Sequence, residues 1–416
     1  FSLIALSFLA LTSVAAEQYA YIANNGDGTV SVVKTASYEV AATIPVAASP
    51  VALAVSPNGK QLYVASSQPE GKLSVVDLEA QAVIATLEIG LNPSAVAVSQ
   101  DGARVYISNT GSNSVSVVDT ASLSVIAEIA VGESPRGLAV SPDGARVYVA
   151  NCLSQTVSTI GVEEGVESGQ IAVGRCPVSV RLDAGGQRAY VANSEDNSIS
   201  TLDLVENQVT ATLDAGSSPE EMTLSPDGSR LYVANTTGAD FVSVFDTRNS
   251  TLLARIPVLQ PRALATSPEG GRLFVTSAES QSVTVVNAVT NQAVGDFAAG
   301  AGPRGATATP PSAVLSGMTG QILLGPGCAV YREGDTNCNP KPYQASIVLK
   351  NENRTAVVTQ LNADATGQFF ISIAPGKYWV EMPDSLVRFP YVKPFQVTVP
   401  DSQYVPVTVY YDTGIR

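Results

Sequence analysis

The sequence predicts an all-β fold, a seven-bladed β-propeller followed by a small seven-stranded β-sandwich. Three observations carry this expectation. A phrase built on one aromatic residue returns at Tyr21, Tyr63, Tyr106, Tyr148, Tyr190, Tyr232 and Phe274, at intervals of 42 or 43 residues. The chain is rich in Val, Ala, Ser, Thr and Gly, a composition suited to strands and tight turns. The period lapses after residue 310, where short alternating segments continue at a different spacing.

The length of 416 residues allows two or three domains. Net charge is −14 and no basic run exists, which argues against a nucleic-acid partner, since phosphate neutralisation needs clustered Lys and Arg. Charged residues make up 14% of the chain, leaving a neutral, Ser/Thr-coated surface with an acidic bias. There is no histidine. His-based general acid–base chemistry, His-containing triads, His metal ligands and a His-ligated haem are therefore excluded. Copper and catalytic zinc are disfavoured for the same reason, and no cofactor or metal is expected.

Taken in order, residues 1–16 (FSLIALSFLALTSVAA) are apolar and end in Val14-Ala15-Ala16 before the polar Glu17-Gln18. They read as the h-region and cleavage site of a secretory signal peptide, with the basic n-region and initiator Met missing. Sixteen residues are short for a bilayer span. An apolar start at Phe is similar to a type IV pilin, but Ala5 stands where that family carries Glu. An uncleaved anchor is the third alternative. The mature chain is expected to be secreted, periplasmic or at the cell surface, with no transmembrane span.

Residues 17–310 form the propeller. In one unit, residues 135–141 (PRGLAVS) alternate and make an inner strand. Pro142-Asp143-Gly144 makes a tight turn, residues 146–151 (RVYVAN) the second strand, 156–160 the third and 170–173 the outer one. Period and strand count together are the mark of a propeller, whose blades bury their faces against one another. The chain enters at a second strand, residues 19–23, and leaves on an unpartnered inner strand, 303–309. Joining these completes the first of seven blades and removes two open edges.

The copies Tyr148-Val149-Ala150-Asn151 and Val115-Ser116-Val117-Val118-Asp119-Thr120-Ala121, with Gly174 and Pro177 closing the first unit, resemble the YVTN family of propeller repeats. That resemblance implies a prokaryotic exported surface or periplasmic protein. Similar propellers occur in lactonases and in the non-copper domain of nitrous oxide reductase.

Asn24, Asn109, Asn151, Asn193 and Asn235 end second strands on one face, with Ser66 and Ser277 in the other two units. They read as caps of their own strand ends through backbone hydrogen bonds, rather than as a polar ring for a ligand. Residues that break the repeat say more. Arg136, Arg262 and Arg304 follow leading prolines where other units have Val51, Ser94 or Val178, and Glu220-Glu221 takes that place in one unit. These five are expected near the channel mouth, either salt-bridging blade to blade or binding an anion or partner carboxylate. No catalytic residue is assigned.

The four cysteines suit two disulfides in an exported chain. Cys152 and Cys176 fall on one face of adjoining units and are paired; Cys328 and Cys338 are close in sequence and are paired likewise. There is no Cys-x-x-Cys.

Residues 311–317 read as a linker. In 318–416, segments 322–324, 345–350, 356–361, 369–373, 378–382, 395–399 and 405–411 are seven candidate strands of a sandwich. The turns Asp364-Ala365-Thr366-Gly367-Gln368-Phe369 and Ala374-Pro375-Gly376-Lys377-Tyr378 resemble the transthyretin-like, carboxypeptidase-regulatory-like domain. That resemblance implies a non-catalytic module that packs on a neighbour or binds carbohydrate or protein. Tyr378, Trp379, Phe389 and Tyr391 are candidates for its core or a binding patch.

Two β modules and no histidine lead to the expectation of an exported, non-enzymatic binding or surface-interaction protein. The propeller would be its ligand- or protein-binding scaffold and the sandwich an adhesion or packing module. Its partner would be protein or carbohydrate at the cell surface, with homo-oligomerisation open. The alternatives are a structural subunit of a surface layer or filament, and a lactonase-like hydrolase using Arg and carboxylates at the channel mouth.

Overall fold

The computed structural model describes residues 18–309 except 69, 237, 239 and 278, and the C-terminal stretches 317–324, 341–342, 346–354, 357–362, 368–372, 376–381, 391–392, 394–399 and 404–412. Seven four-stranded antiparallel sheets form the propeller. Blade 1 consists of Tyr19–Asn24, Thr29–Lys34 and Val40–Pro45, and its inner strand is Pro303–Ala308 from the far end of the region. Blades 2 to 7 follow with inner strands Pro50–Val55, Pro93–Val98, Pro135–Val140, Pro177–Leu182, Pro219–Leu224 and Pro261–Thr266. Each inner strand touches the next, and Pro303–Ala308 touches both Pro261–Thr266 and Pro50–Val55, so the ring closes as expected. Tyr21 lies opposite Thr307, and the Thr309 N–H donates to the Tyr19 carbonyl at 2.8 Å.

The repeating aromatic explains why one blade is insufficient. Tyr106 and its blade-3 neighbours Val115 and Val117 pack on Leu138, Val147 and Val149 of blade 4. Tyr148 does the same against blade 5, Tyr190 against blade 6, and Phe274 against Ala20 and Ile22 of blade 1. The core therefore lies between sheets. Second strands are buried on both faces, whereas outer strands are mostly exposed. Each fully buried aromatic contributes about 1.5–3 kcal/mol. Outer strands such as Val166–Ala172 begin earlier than alternation indicated, because their exposed halves carry no apolar periodicity.

At the turn into the second strand, Gly144 takes φ +70°. The Ser141 hydroxyl and the Ala145 N–H both donate to Asp143, holding its carboxyl below the usual range. On that same face the arginines opening second strands reach forward. Arg104 donates to the Val162 carbonyl at 3.1 Å, Arg188 to Thr247 at 3.0 Å, Arg230 to Ala288, and Arg272 to the Tyr38 hydroxyl at 2.8 Å.

The strand-ending asparagines are structural, and the expected backbone bonds hold for part of the set: Asn235 donates to the Val233 and Phe241 carbonyls at 3.2 and 3.4 Å, and Asn24 Oδ1 accepts from the Gly300 N–H at 3.1 Å. Asn109, Asn151 and Asn193 are fully buried and donate to hydroxyls of the third strand: Ser116 at 2.8 Å, Ser158 at 2.7 Å and Ser200 at 2.9 Å. Against each lies a glycine three residues before the leading proline. A Cβ on Gly132 would stand 2.6 Å from Asn151 Nδ2, and one on Gly90 2.4 Å from Asn109 Nδ2. Where serine replaces the asparagine, the glycine is replaced too. Ser66 faces Ala47 and donates to its carbonyl at 2.9 Å, and Ser277 donates to the Leu259 carbonyl beside Val258. The Ala47–Ser66 pair keeps roughly the volume of a Gly–Asn pair across the contact.

Cys152 and Cys176 form a disulfide, as expected, tying the top of blade 4 to the loop entering blade 5. The other expected pair, Cys328 and Cys338, lies outside the described residues, as do residues 1–16, most of the 311–317 linker and Phe389. Among the described residues no helix is long and apolar enough to cross a membrane.

The C-terminal region forms two sheets. One holds Gly317–Leu324, Lys341–Pro342, Gln368–Ser372, Tyr391–Val392 and Tyr404–Asp412, the other Ser346–Lys350, Val357–Asn362, Gly376–Glu381 and Phe395–Val399. All seven expected strands are present. Lys341–Pro342 and Tyr391–Val392 are additions too short to show alternation. Ile347, Leu349, Val380 and Val409 are fully buried. Tyr378 is buried, and Trp379 lies under the Arg354 guanidinium at 4.7 Å. Arg354 Nε and Lys350 Nζ reach Glu381 at 2.6 and 3.2 Å. Burial pushes the Glu381 carboxyl up, and these two donors outweigh it and hold it below its usual range.

Gly132→Ala is expected to lower stability by about 1–3 kcal/mol through overpacking. Adding Asn151→Ser should recover most of that loss by recreating the Ala47–Ser66 pair, which chemical denaturation of both variants measures. Replacing Cys152 and Cys176 by serine should cost about 2–4 kcal/mol. A reductant should then lower the melting temperature of the parent protein by more than that of the variant.

Candidate functional site

The inner strands surround the channel, and their first residues stand at the mouth where the outer-to-inner loops arrive. The residue after the leading proline is Arg304 in blade 1, then Val51, Ser94, Arg136, Val178, Glu220 and Arg262 in blades 2 to 7. All five charged residues expected at the mouth are thus on the inner ring, including Glu221, the residue after Glu220. Arg136 and Arg304 are exposed and make no ion pair among the described residues, so the expected salt-bridging holds for only part of the set.

The carboxylates are held differently. Glu220 pairs with Arg262 of the next blade at 3.2 Å, with side chains 41% and 38% exposed. Glu221 takes a position occupied elsewhere by Ala52, Ala95, Gly137, Ser179, Ala263 and Gly305. That site is tight: a Cβ on Gly137 would meet the Ser179 Cα and the Val178 carbonyl oxygen at 2.7 Å. Glu221 turns its carboxylate back to blade 5, where Arg181 and the Ser179 hydroxyl donate to it, the latter at 3.1 Å. Its own strand adds the Met222 N–H at 3.1 Å. Glu221 is thereby a fixed acceptor, while Glu220 keeps one partner and access to water.

Arg181 was not anticipated. Its signal lies in the fifth inner-strand position, where the other blades carry Ala54, Ala97, Ala139, Thr223, Ala265 and Thr307. Four arginines (136, 181, 262, 304) therefore meet two glutamates in a chain whose net charge is −14. At the rim, Arg175 donates to Asp196 through its N–H and its guanidinium, holding that carboxyl below its usual range.

Blade 3 fixes the backbone of Arg136. Ser94 Oγ donates to the Pro135 carbonyl at 3.1 Å, Thr110 Oγ1 to the same oxygen at 2.6 Å, and Ser108 Oγ to the Arg136 carbonyl. Two depressions of about 380 and 460 Å³ lie elsewhere, at the seams flanking blade 1. Neither lining pairs an arginine with a carboxylate. Among the described residues no three of His, Cys, Asp and Glu are grouped to hold a metal.

Residues 85–172 and 166–299 match the family described as Lactonase, 7-bladed beta-propeller. No curated protein matches the chain. A candidate 6-phosphogluconolactonase from Bacteroides uniformis is 18% identical over 70% of this chain and 99% of its own, with a TM-score of 0.61. A functionally unknown protein from Desulfotomaculum acetoxidans is 19% identical over 70% and 99%, at 0.63. Hydrazine synthase of Kuenenia stuttgartiensis is 23% identical over 64% and 91%, at 0.59. At these identities the likeness is one of fold.

The family match overturns the expectation of a non-enzymatic binding or surface-interaction protein and supports the hydrolase alternative instead. The expectation leaned on the missing histidine. Ester hydrolysis needs a base and a cationic site for the oxyanion, and Glu and Arg supply both.

Arg181→Ala is expected to lower stability by about 0.5–1 kcal/mol, as for a half-exposed ion pair. Glu221→Ala in that background should add little, which a double-mutant cycle in denaturant checks.

Proposed function

The chain belongs to the seven-bladed β-propeller lactonase family, and on that premise we propose that it hydrolyses a small lactone carrying a negative charge at the propeller channel mouth. The observation that carries this reading is one accessible carboxylate, Glu220, paired with Arg262 on an inner ring that also carries Arg136 and Arg304, unpaired among the described residues. Arg262 beside it donates to the carboxylate at 3.2 Å. Arg136 and Arg304 are left to bind the anionic group of the substrate and the oxygen that becomes charged.

In this mechanism Glu220 takes a proton from a water whose oxygen bonds to the lactone carbonyl carbon. The carbonyl oxygen becomes anionic against an arginine. The ring C–O bond then breaks, the alkoxide takes the proton back from Glu220, and an open-chain hydroxy acid leaves. Nothing in the sequence calls for a metal or a histidine. Fold analogy alone would not suggest this reaction; family membership and the charge pattern together support it.

The YVTN resemblance of the repeats, the division into 17–310 and 318–416, and the transthyretin-like reading of the latter belong to the same proposal. So does export, which the Cys152–Cys176 disulfide supports, because such bonds persist in oxidising compartments.

Proton release in a pH-stat with glucono-δ-lactone and 6-phosphogluconolactone tests the reading. Glu220→Gln should lose at least about 100-fold in kcat. Arg136→Ala and Arg304→Ala should raise KM more for the phosphorylated lactone than for the neutral one. No hydrolysis above the buffer rate by the intact protein would sink the proposal.

A further inference from the structure

The residue before the last of each second strand is alanine in five blades: Ala23, Ala65, Ala150, Ala192 and Ala234. In blades 3 and 7 it is Ser108 and Thr276, both fully buried. The two hydroxyls find the same chemical target. Ser108 Oγ donates to the Arg136 carbonyl across the blade 3–4 seam, and Ser94 Oγ adds a bond to that oxygen at 3.2 Å. Thr276 Oγ1 accepts from the Ala263 N–H at 2.9 Å. Each thus holds the peptide that follows a mouth arginine, Arg136–Gly137 in one case and Arg262–Ala263 in the other.

Strand register explains why these peptides need holding. In blades 2, 3, 5 and 6 the inner strand regains its ladder with the second strand at the third residue, at Ala52, Ala95, Ser179 and Glu221. In blades 4 and 7 pairing resumes only at the fourth, at Leu138 and Leu264. The Arg136–Gly137 and Arg262–Ala263 peptides therefore leave the ladder in a wider bulge, an arrangement that re-aims a side chain and frees its backbone groups. Off the ladder, the part-buried Arg136 carbonyl and the buried Ala263 N–H need partners, and the hydroxyls at 108 and 276 provide them where alanine could not.

We infer that Ser108 and Thr276 are positioning residues that hold Arg136 and Arg262 toward the channel mouth. The inference rests on the reading of that mouth as a hydrolytic site. Both hydroxyls serve the peptide of an arginine, and the unadorned alanine serves in five blades.

The test uses the full chain. Ser108→Ala and Thr276→Ala install the residue the other blades already carry, so the fold tolerates them. Each should lower kcat/KM for 6-phosphogluconolactone about tenfold. Each should also weaken calorimetric binding of 6-phosphogluconate, and Ser108→Thr should restore most of both. In an Arg136→Ala background, Ser108→Ala should have no further effect, which a general loss of packing would not produce. An unchanged Ser108→Ala, or losses that add to those of Arg136→Ala, would overturn the positioning role while leaving the site intact. If the parent protein neither hydrolyses the lactone nor binds the acid, the reading of the mouth falls, and this inference with it.

Discussion

Everything in the propeller depends on a sheet that cannot cover its own faces. Each blade buries an aromatic such as Tyr148 in the next blade's strands, so no seam is complete until the ring is. The last inner strand, Pro303–Ala308, closes it by pairing with Tyr19–Asn24, nearly three hundred residues earlier in the chain. Its hydrogen bonds are ordinary ones. Their leverage comes from position, since they pair the two inner edges left open at the ends of the region and close the stack into a ring.

Because the seams carry stability, the mouth residues are released from that duty. The residue after the leading proline varies from valine to serine, glutamate and arginine while Tyr63, Tyr106, Tyr190 and Tyr232 stay almost wholly buried beneath. Arginines gather there in an acidic molecule, and the low-dielectric wall concentrates their field on whatever approaches. Glu221 shows the limit of this freedom. Placed where neighbours hold Gly, Ala or Ser, its carboxylate is accommodated by Arg181 and Ser179 of the preceding blade.

The period of 42 residues, the turn residues and the chain's entry at a second strand make the ring, its seven blades and its closure legible in the sequence. The Cys152–Cys176 pairing followed from which face each loop occupies. The mouth was legible in part. Arg136, Arg262, Arg304, Glu220 and Glu221 stood out against valine and serine at one repeat position, but Arg181 sits three residues further on and was passed over. Ser108 and Thr276 were hidden more thoroughly. A buried hydroxyl among alanines looks like a neutral substitution until the strand register reveals which peptide lacks a partner. Function was misjudged because absent histidine was weighed more heavily than present arginine.

The forward-reaching arginines Arg104, Arg188, Arg230 and Arg272 all point from one blade to the next in chain order, and the last of them crosses from blade 7 to Tyr38 of blade 1. The molecule thus has a sense of rotation but no privileged origin. The propeller's first and last strands meet inside blade 1, and the seam between blades 7 and 1 is, for these contacts, like the others. A circularly rearranged gene that opened the ring between two other blades would keep the same succession of neighbours, so the numbering of the blades reflects the chain's ends and not the architecture.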